Sequence, residues 1–244
     1  MKGESMLYGF GGGEVAAYRW INDGGRAGGI VAASARVDDT AIIGPGAVIG
    51  DYARICYRAR ISAGARIGDW ARIGDWASIG DRASIGDGAS IGDRASIGDG
   101  AIIDDGASIG TYARIGDGAS IGAYASIGDG ASIGYWAVIG DRAVIGEEAT
   151  IGYRARIDAD DWYLSGGPCG SRKAMWTAVH SHEYGLRWWM GCQRGISTDA
   201  LLERARAEHG DNEHAQAYRH AVQCVITHPE YLKRIPKAHT GRAK

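Results

Sequence analysis

An Ile or Val falls on every sixth residue from Val37 to Ile157 without a slip, twenty-one positions in all. An alanine stands four residues after each of the first twenty, from Ala41 to Ala155. The residue after the Ile is usually Gly, and the next is usually Asp. A six-residue period matches neither an amphipathic helix nor an alternating strand. It suits a chain that turns a corner every six residues. The Ile then points inward from a short flat side, and the Ala sits in the following corner, where little room remains. The Gly-Asp pair is expected to supply turn chemistry, with Gly taking an unusual φ and Asp bonding to nearby backbone. Three sides close a coil of 18 residues, so the run makes seven coils. No unit can bury its own Ile, but stacking buries one continuous column. With coils roughly 4.8 Å apart, the prism is about 34 Å long.

Units such as Ala83-Ser84-Ile85-Gly86-Asp87-Gly88 resemble the hexapeptide-repeat, left-handed parallel β-helix superfamily. The resemblance implies left-handed winding, against the usual crossover preference. It also implies a homotrimer assembled through flat prism walls. It implies no single function, because the fold hosts acyltransferases, carbonic anhydrases and non-catalytic proteins. The acyltransferases generally use a His near the coils or on an inserted loop, with acyl-CoA between subunits. The carbonic anhydrases set three His around a metal. Here the first His is His180 and no loop interrupts the prism, so neither apparatus can be carried over to residues 1–179.

The formal net charge of −2 names no partner, but the charge is unevenly placed. Residues 31–160 carry 12 basic and 18 acidic side chains, and residues 161–244 carry 12 and 8. The basic residues of the second part do not cluster, so nucleic acid is not an expected partner. The tail with Lys233, Arg234, Lys237, Arg242 and Lys244 reads as a solvated terminus. Cys56, Cys169, Cys192 and Cys224 show no CxxC spacing, and neither a signal peptide nor an apolar span is visible. These features point to a cytoplasmic protein without membrane attachment.

Three segments follow. Residues 1–30 form a lead-in with a strand over Val15–Ile21. Gly9-Phe10-Gly11-Gly12-Gly13 reads as a turn, since no strand–loop–helix unit surrounds it to make a phosphate loop. Residues 31–160 form the prism. One outward column runs Arg36, Arg54, Arg72, Ser90, Ser108, Ser126, Val144, and serine likewise dominates the middle of the other two walls. A corner column stacks Thr40, Arg58, Trp76, Arg94 and Tyr112, a surface ladder with cation–π contacts or, alternatively, a ligand groove. The turn aspartates from Asp69 to Asp105 read as turn chemistry, because one column per corner brings too few oxygens together for calcium.

Residues 161–244 form a small α+β cap on an otherwise all-β chain. Met175–His182 and Leu186–Cys192 read as a β-hairpin. Ser197 or Thr198 caps a helix to about Glu208, and Asp211 or Asn212 caps a second to about Thr227. Leu201, Leu202, Ala205, Tyr218, Val222 and Val225 are the expected buried stripes. Gly170-Ser171-Arg172, Gly191-Cys192, Gly195 and His209-Gly210-Asp211-Asn212-Glu213-His214 with Tyr218 resemble a module beside hexapeptide repeats in phage and prophage proteins. That resemblance implies no known chemistry.

Two candidate sites lie in this module. Gly166 to Arg172 is either a linker or an anion-binding turn, in which Gly170 lends backbone N–H, Ser171 a hydroxyl and Arg172 a planar fork. His209, Asp211, Asn212 and His214, with Tyr218 one turn on, are either capping residues or an anion site at a helix N-terminus. Zinc there would need further ligands such as His180, His182 or Cys192, so no metal and no cofactor is expected. A nucleophilic role for Ser171, Cys169 or Cys192 would need a positioned base. The function these features support is a non-enzymatic, phage-type homotrimer that sequesters a small anionic, nucleotide-like signal against host defence. The alternatives are a structural virion spacer and an acyltransferase with an atypical His.

Overall fold

The structure is a computed structural model that describes residues 2–9, 14–169, 174–181, 185–190 and 193–229. The chain divides into two compact units, Met1–Asp160 and Asp161–Lys244. Among the described residues no helix is long and apolar enough to cross a membrane.

The first unit opens with β1 (Lys2–Gly9), β2 (Glu14–Ile21) and β3 (Ala27–Ala32). Two-residue strands β4 to β24 follow at six-residue intervals, from Arg36–Val37 through Arg156–Ile157. They stack as three parallel walls of a solenoid of about seven turns. Residues 18 apart are partners, as in Ser84 with Ile102 and Ile85 with Ile103. The Ile column is buried throughout, with Ile43, Ile73 and Ile121 at 0% exposure, and so is the Ala column apart from the half-buried Ala149. The lead-in holds three strands where the sequence suggested one. They form an antiparallel meander whose last member, β3, pairs in parallel with Val48–Ile49 and so takes the first place on that wall. Gly9 ends β1, and Phe10–Gly13 lie outside the described residues.

The turns correct the expected roles of Gly and Asp. The left-handed residue of each corner is the third after the Ile. It has φ near +60° at every such position from Gly46 to Arg154, whether glycine or a large residue such as Tyr52, Trp70 or Arg94. The Gly directly after the Ile is favoured instead by space, although Asp38, Cys56, Ser62, Asp104 and Asp158 stand at the same position. A Cβ on Gly98 would lie 2.5 Å from the backbone N of Asp117, one coil on. The Asp does not bond locally. Its carboxylate accepts the backbone N–H of the residue one coil earlier, as in Asp69 N–H to Asp87 Oδ1 at 2.8 Å and Asp81 N–H to Asp99 Oδ1 at 2.7 Å. Each carboxylate thereby satisfies a corner donor that the strand ladders leave over.

Asp104 breaks the pattern by standing where most turns carry glycine. Partial burial, then the charges of Asp141 and Asp105, raise its carboxyl above the ordinary value. An acid raised in the fold disfavours the folded state above its folded pKa, and the penalty fades as pH falls toward the unfolded value. Asp104→Asn should therefore raise Tm at pH 7, with the gain shrinking as the medium approaches pH 4. Thermal melts of both proteins across that range check this.

The second unit is a four-stranded antiparallel sheet with two helices. Its strands are β25 (Trp162–Cys169), β26 (Ala174–Ser181), β27 (Gly185–Met190) and β28 (Gln193–Ile196). The hairpin anticipated from the sequence is β26–β27, and β25 and β28 flank it. Helix α1 (Thr198–His209) is capped by Ser197, whose hydroxyl accepts from Ala200 N–H. Helix α2 (Glu213–Ile226) is capped by Asn212. Tryptophan takes the place of phenylalanine in this core. Trp162, Trp176 and Trp188 pack with Met190, Leu201, Val222 and Val225, while Leu202 and Tyr218 border the cluster.

Candidate functional site

The corner and wall residues of the first coils build a basic recess. Tyr52, Trp70 and Gly88 succeed one another along one corner of the prism, and two residues beyond the first two stand Arg54 and Arg72. Tyr52 and Trp70 stack, with ring centroids 4.3 Å apart and planes at 15°. Arg36, Arg54 and Arg72 are in register on β4, β7 and β10, and all three are exposed. These residues, with Ser34, Gly88 and Ser90, line a recess of about 540 Å³ whose lining includes three arginines and no acidic residue, although the Ser34 hydroxyl donates to Asp51 Oδ1 at 2.6 Å. Arginine forks match carboxylate and phosphate oxygens, and stacked rings offer a flat apolar floor.

Neighbouring recesses mix signs. The corner with Thr40, Arg58 and Trp76 forms the anticipated ladder, with the Arg58 guanidinium 4.6 Å from the Trp76 ring. Arg94 lies 5.3 Å from the Tyr112 ring and also bonds its hydroxyl. The recess beside Thr40, Arg58 and Trp76 is also lined by Asp23 and Asp39, so both charge signs are present there.

In the second unit, the fold brings His209, His214 and Tyr218 together. The His209 ring lies 5.5 Å from His214 and stacks at 6.0 Å on Tyr218. The His209 side chain is 10% exposed, against 37% for His214. Asn212 and Asp211 are occupied otherwise. Asn212 Oδ1 accepts from His214 N–H at 2.9 Å and Ala215 N–H at 3.2 Å, which uses the first donors of α2. Asp211 Oδ1 accepts from Arg219 at 3.1 Å, an ion pair. Two of the N–H groups that the anion reading of that helix end would use are therefore already bonded. Among the described residues, no group of three His, Cys, Asp or Glu could hold a metal ion.

The glycine-rich stretch is not a turn throughout. Gly166 lies on β25 opposite Trp176, and a Cβ there would meet the Trp176 indole at 2.6 Å. Gly170, Ser171 and Arg172 lie outside the described residues, as do His182 and Cys192. The Arg36, Arg54 and Arg72 column was legible in steps of 18 residues, but among the corners only that with Thr40 was followed in this way, so the rings beside the arginines were missed. The same step from Tyr52 exposes Tyr52, Trp70 and Gly88 beside the Arg54–Arg72 column.

The GMPPB C-terminal domain family matches residues 61–160. No curated protein sequence matches the chain. Among solved structures, PerB from Caulobacter crescentus, in complex with CoA and GDP-perosamine, is 23% identical. The match covers 50% of this chain and 56% of that one, with a TM-score of 0.43. A putative acetyltransferase from Bacillus cereus is 16% identical over 79% of this chain and 91% of that one, with a TM-score of 0.37. UDP-N-acetylglucosamine acyltransferase from Campylobacter jejuni is 17% identical over 81% and 96%, with a TM-score of 0.34. By its repeat and its stacked coils, this chain is a hexapeptide-repeat parallel β-helix followed by a separate α+β unit.

Proposed function

We propose that the protein is a non-enzymatic binding protein, a homotrimer that holds a small, nucleotide-like anion. It would act in the cytoplasm. The resemblance of its C-terminal module to phage and prophage proteins suggests the sequestration of a signal used in host defence. The observation that carries the binding role is the recess of Arg36, Arg54 and Arg72, three exposed arginines in register with no acidic residue in the lining. Like charges stacked one coil apart repel, and an anion placed among them relieves that repulsion. Serine on the middle coils, as at Ser78, Ser84 and Ser90, leaves those walls flat enough for another copy to approach.

Native mass spectrometry of freshly purified protein, repeated after denaturation, is the test. The expected result is a trimer with added mass that is released as a small molecule. A clean trimer would favour a spacer role instead. Calorimetry with pyrophosphate should show at least tenfold weaker binding in the Arg54→Ser/Arg72→Ser protein. Unchanged binding would overturn the site.

A second reading is acyl transfer with His214 as base, supported by the partial exposure of His214 beside His209 and Tyr218. Acetyl-CoA turnover that disappears in His214→Ala would establish it.

A further inference from the structure

The corner side chains of this prism lean back, each onto the corner residue one coil earlier. The Tyr124 ring fills the space over Gly106, where a Cβ would lie 2.6 Å from Tyr124 Cε1. Trp136 does the same over Gly118, at 2.7 Å. Trp70 leans in this way on Tyr52. By that rule the residue that should cover Trp70 is residue 88. It is a glycine, and a Cβ built there would find nothing within 4 Å. One face of the Trp70 indole is therefore packed and the other is open, and the residue is 63% exposed.

We propose that the open face of Trp70, above Gly88, is a slot for the planar base of a nucleoside phosphate whose phosphates are held by Arg54 and Arg72. The inference rests on the binding-protein reading and narrows its ligand to an anion that carries a flat ring. A bare anion would engage the arginines and leave the indole face idle. A neutral ring would do the reverse. A nucleoside phosphate uses both, because a base stacks on an aromatic face whatever its identity, while the guanidinium forks pair with phosphate oxygens. A long single strand would need several uncovered rings in succession. Here Tyr52 is already covered by Trp70, so the recess serves a single base.

Isothermal titration of the full chain with ADP, pyrophosphate and adenosine tests the slot. ADP should bind at least tenfold more tightly than either of its parts. Gly88→Tyr places at this corner the residue already found at Tyr52, Tyr112 and Tyr124, all with the same left-handed φ. It should keep the melting temperature while removing the advantage of ADP over pyrophosphate. Arg54→Ser/Arg72→Ser, which installs the residue of the middle coils, should weaken both ligands at least tenfold. If ADP binds no better than pyrophosphate, or Gly88→Tyr leaves ADP binding intact, the slot is wrong and the anion recess stands. If neither ligand binds, both readings fall. A single-stranded oligonucleotide that binds more than tenfold tighter than ADP would overturn the assignment to a single nucleotide.

Discussion

Gly98→Ala should destabilise the prism by about 3 kcal/mol or more, the range of severe overpacking. Gly100→Ala, two residues away in the same turn, should cost only about 1 kcal/mol. The contrast follows from where each missing Cβ would go. At Gly98 it would lie 2.3 Å from Asp117 Oδ1, 2.5 Å from Asp117 N and 2.7 Å from Gly116 C. Two of those atoms are backbone and cannot rotate away. Separating the coils to make room would stretch the Gly98 N–H bond to Ile115 O, now 2.8 Å, and the Asp99 N–H bond to Asp117 Oδ1, now 3.0 Å. At Gly100 the Cβ would meet nothing within 4 Å, and the cost is only that of a left-handed φ of +62°. Non-glycine residues hold such a φ at many other corners of this prism. In a unit of this size 3 kcal/mol corresponds to a Tm drop of roughly 6–12 °C. Thermal and urea melts of the two variants, followed by circular dichroism, decide the matter. Equal losses would show that the first glycine is needed for conformation and not for space.

Trp188→Ala should remove most of the stability of the second unit, about 3–5 kcal/mol, while the prism continues to melt as before. Trp188 is fully buried, packs 5.7 Å from the Trp176 ring, and donates its indole N–H to Thr198 Oγ1 at 3.0 Å. Truncation leaves a cavity at the centre of the cluster and strips α1 of a contact at its first residue. A small core carries only a few kcal/mol of net stability, so a loss of this size leaves the sheet largely unfolded. Thr198→Ala removes the acceptor alone and should cost about 1 kcal/mol. Near-UV circular dichroism reports the tryptophan cluster, and far-UV melting reports the prism. Simultaneous loss of both signals in Trp188→Ala would show that the units do not fold independently.

The prism was legible because one inward Ile per side and one Ala per corner leave no other way to bury the column. The capped helices were legible too, through Ser197 and Asn212. Other features depend on partners distant in the chain. Gly166-Gly167-Pro168 looks like a turn, yet Gly166 sits in a strand because the Trp176 indole needs the space its Cβ would fill. Strand β1 starts Lys2-Gly3-Glu4-Ser5, with no alternation to announce it, and gains its place by pairing with β2. The glycine after most of the Ile residues looks conformational from its neighbours alone, and only the coil stacked on it shows the steric pressure. The basic recess is likewise invisible along the chain and appears only when residues are compared at the period of a full coil.

That period raises a problem of indexing during folding. Coils with nearly identical Ile, Ala and Asp residues can be laid on one another out of order, since a shift by one whole coil preserves every inward contact. The corners differ from coil to coil. Tyr124 fits over Gly106, and Trp136 fits over Gly118, because those glycines leave room for a ring. A slipped coil would part Tyr124 from Gly106 and Trp136 from Gly118 and so lose those fits. Large and small corner residues therefore act as tooth and notch, telling otherwise interchangeable coils apart. The meander of β1 to β3 marks the end from which the count begins.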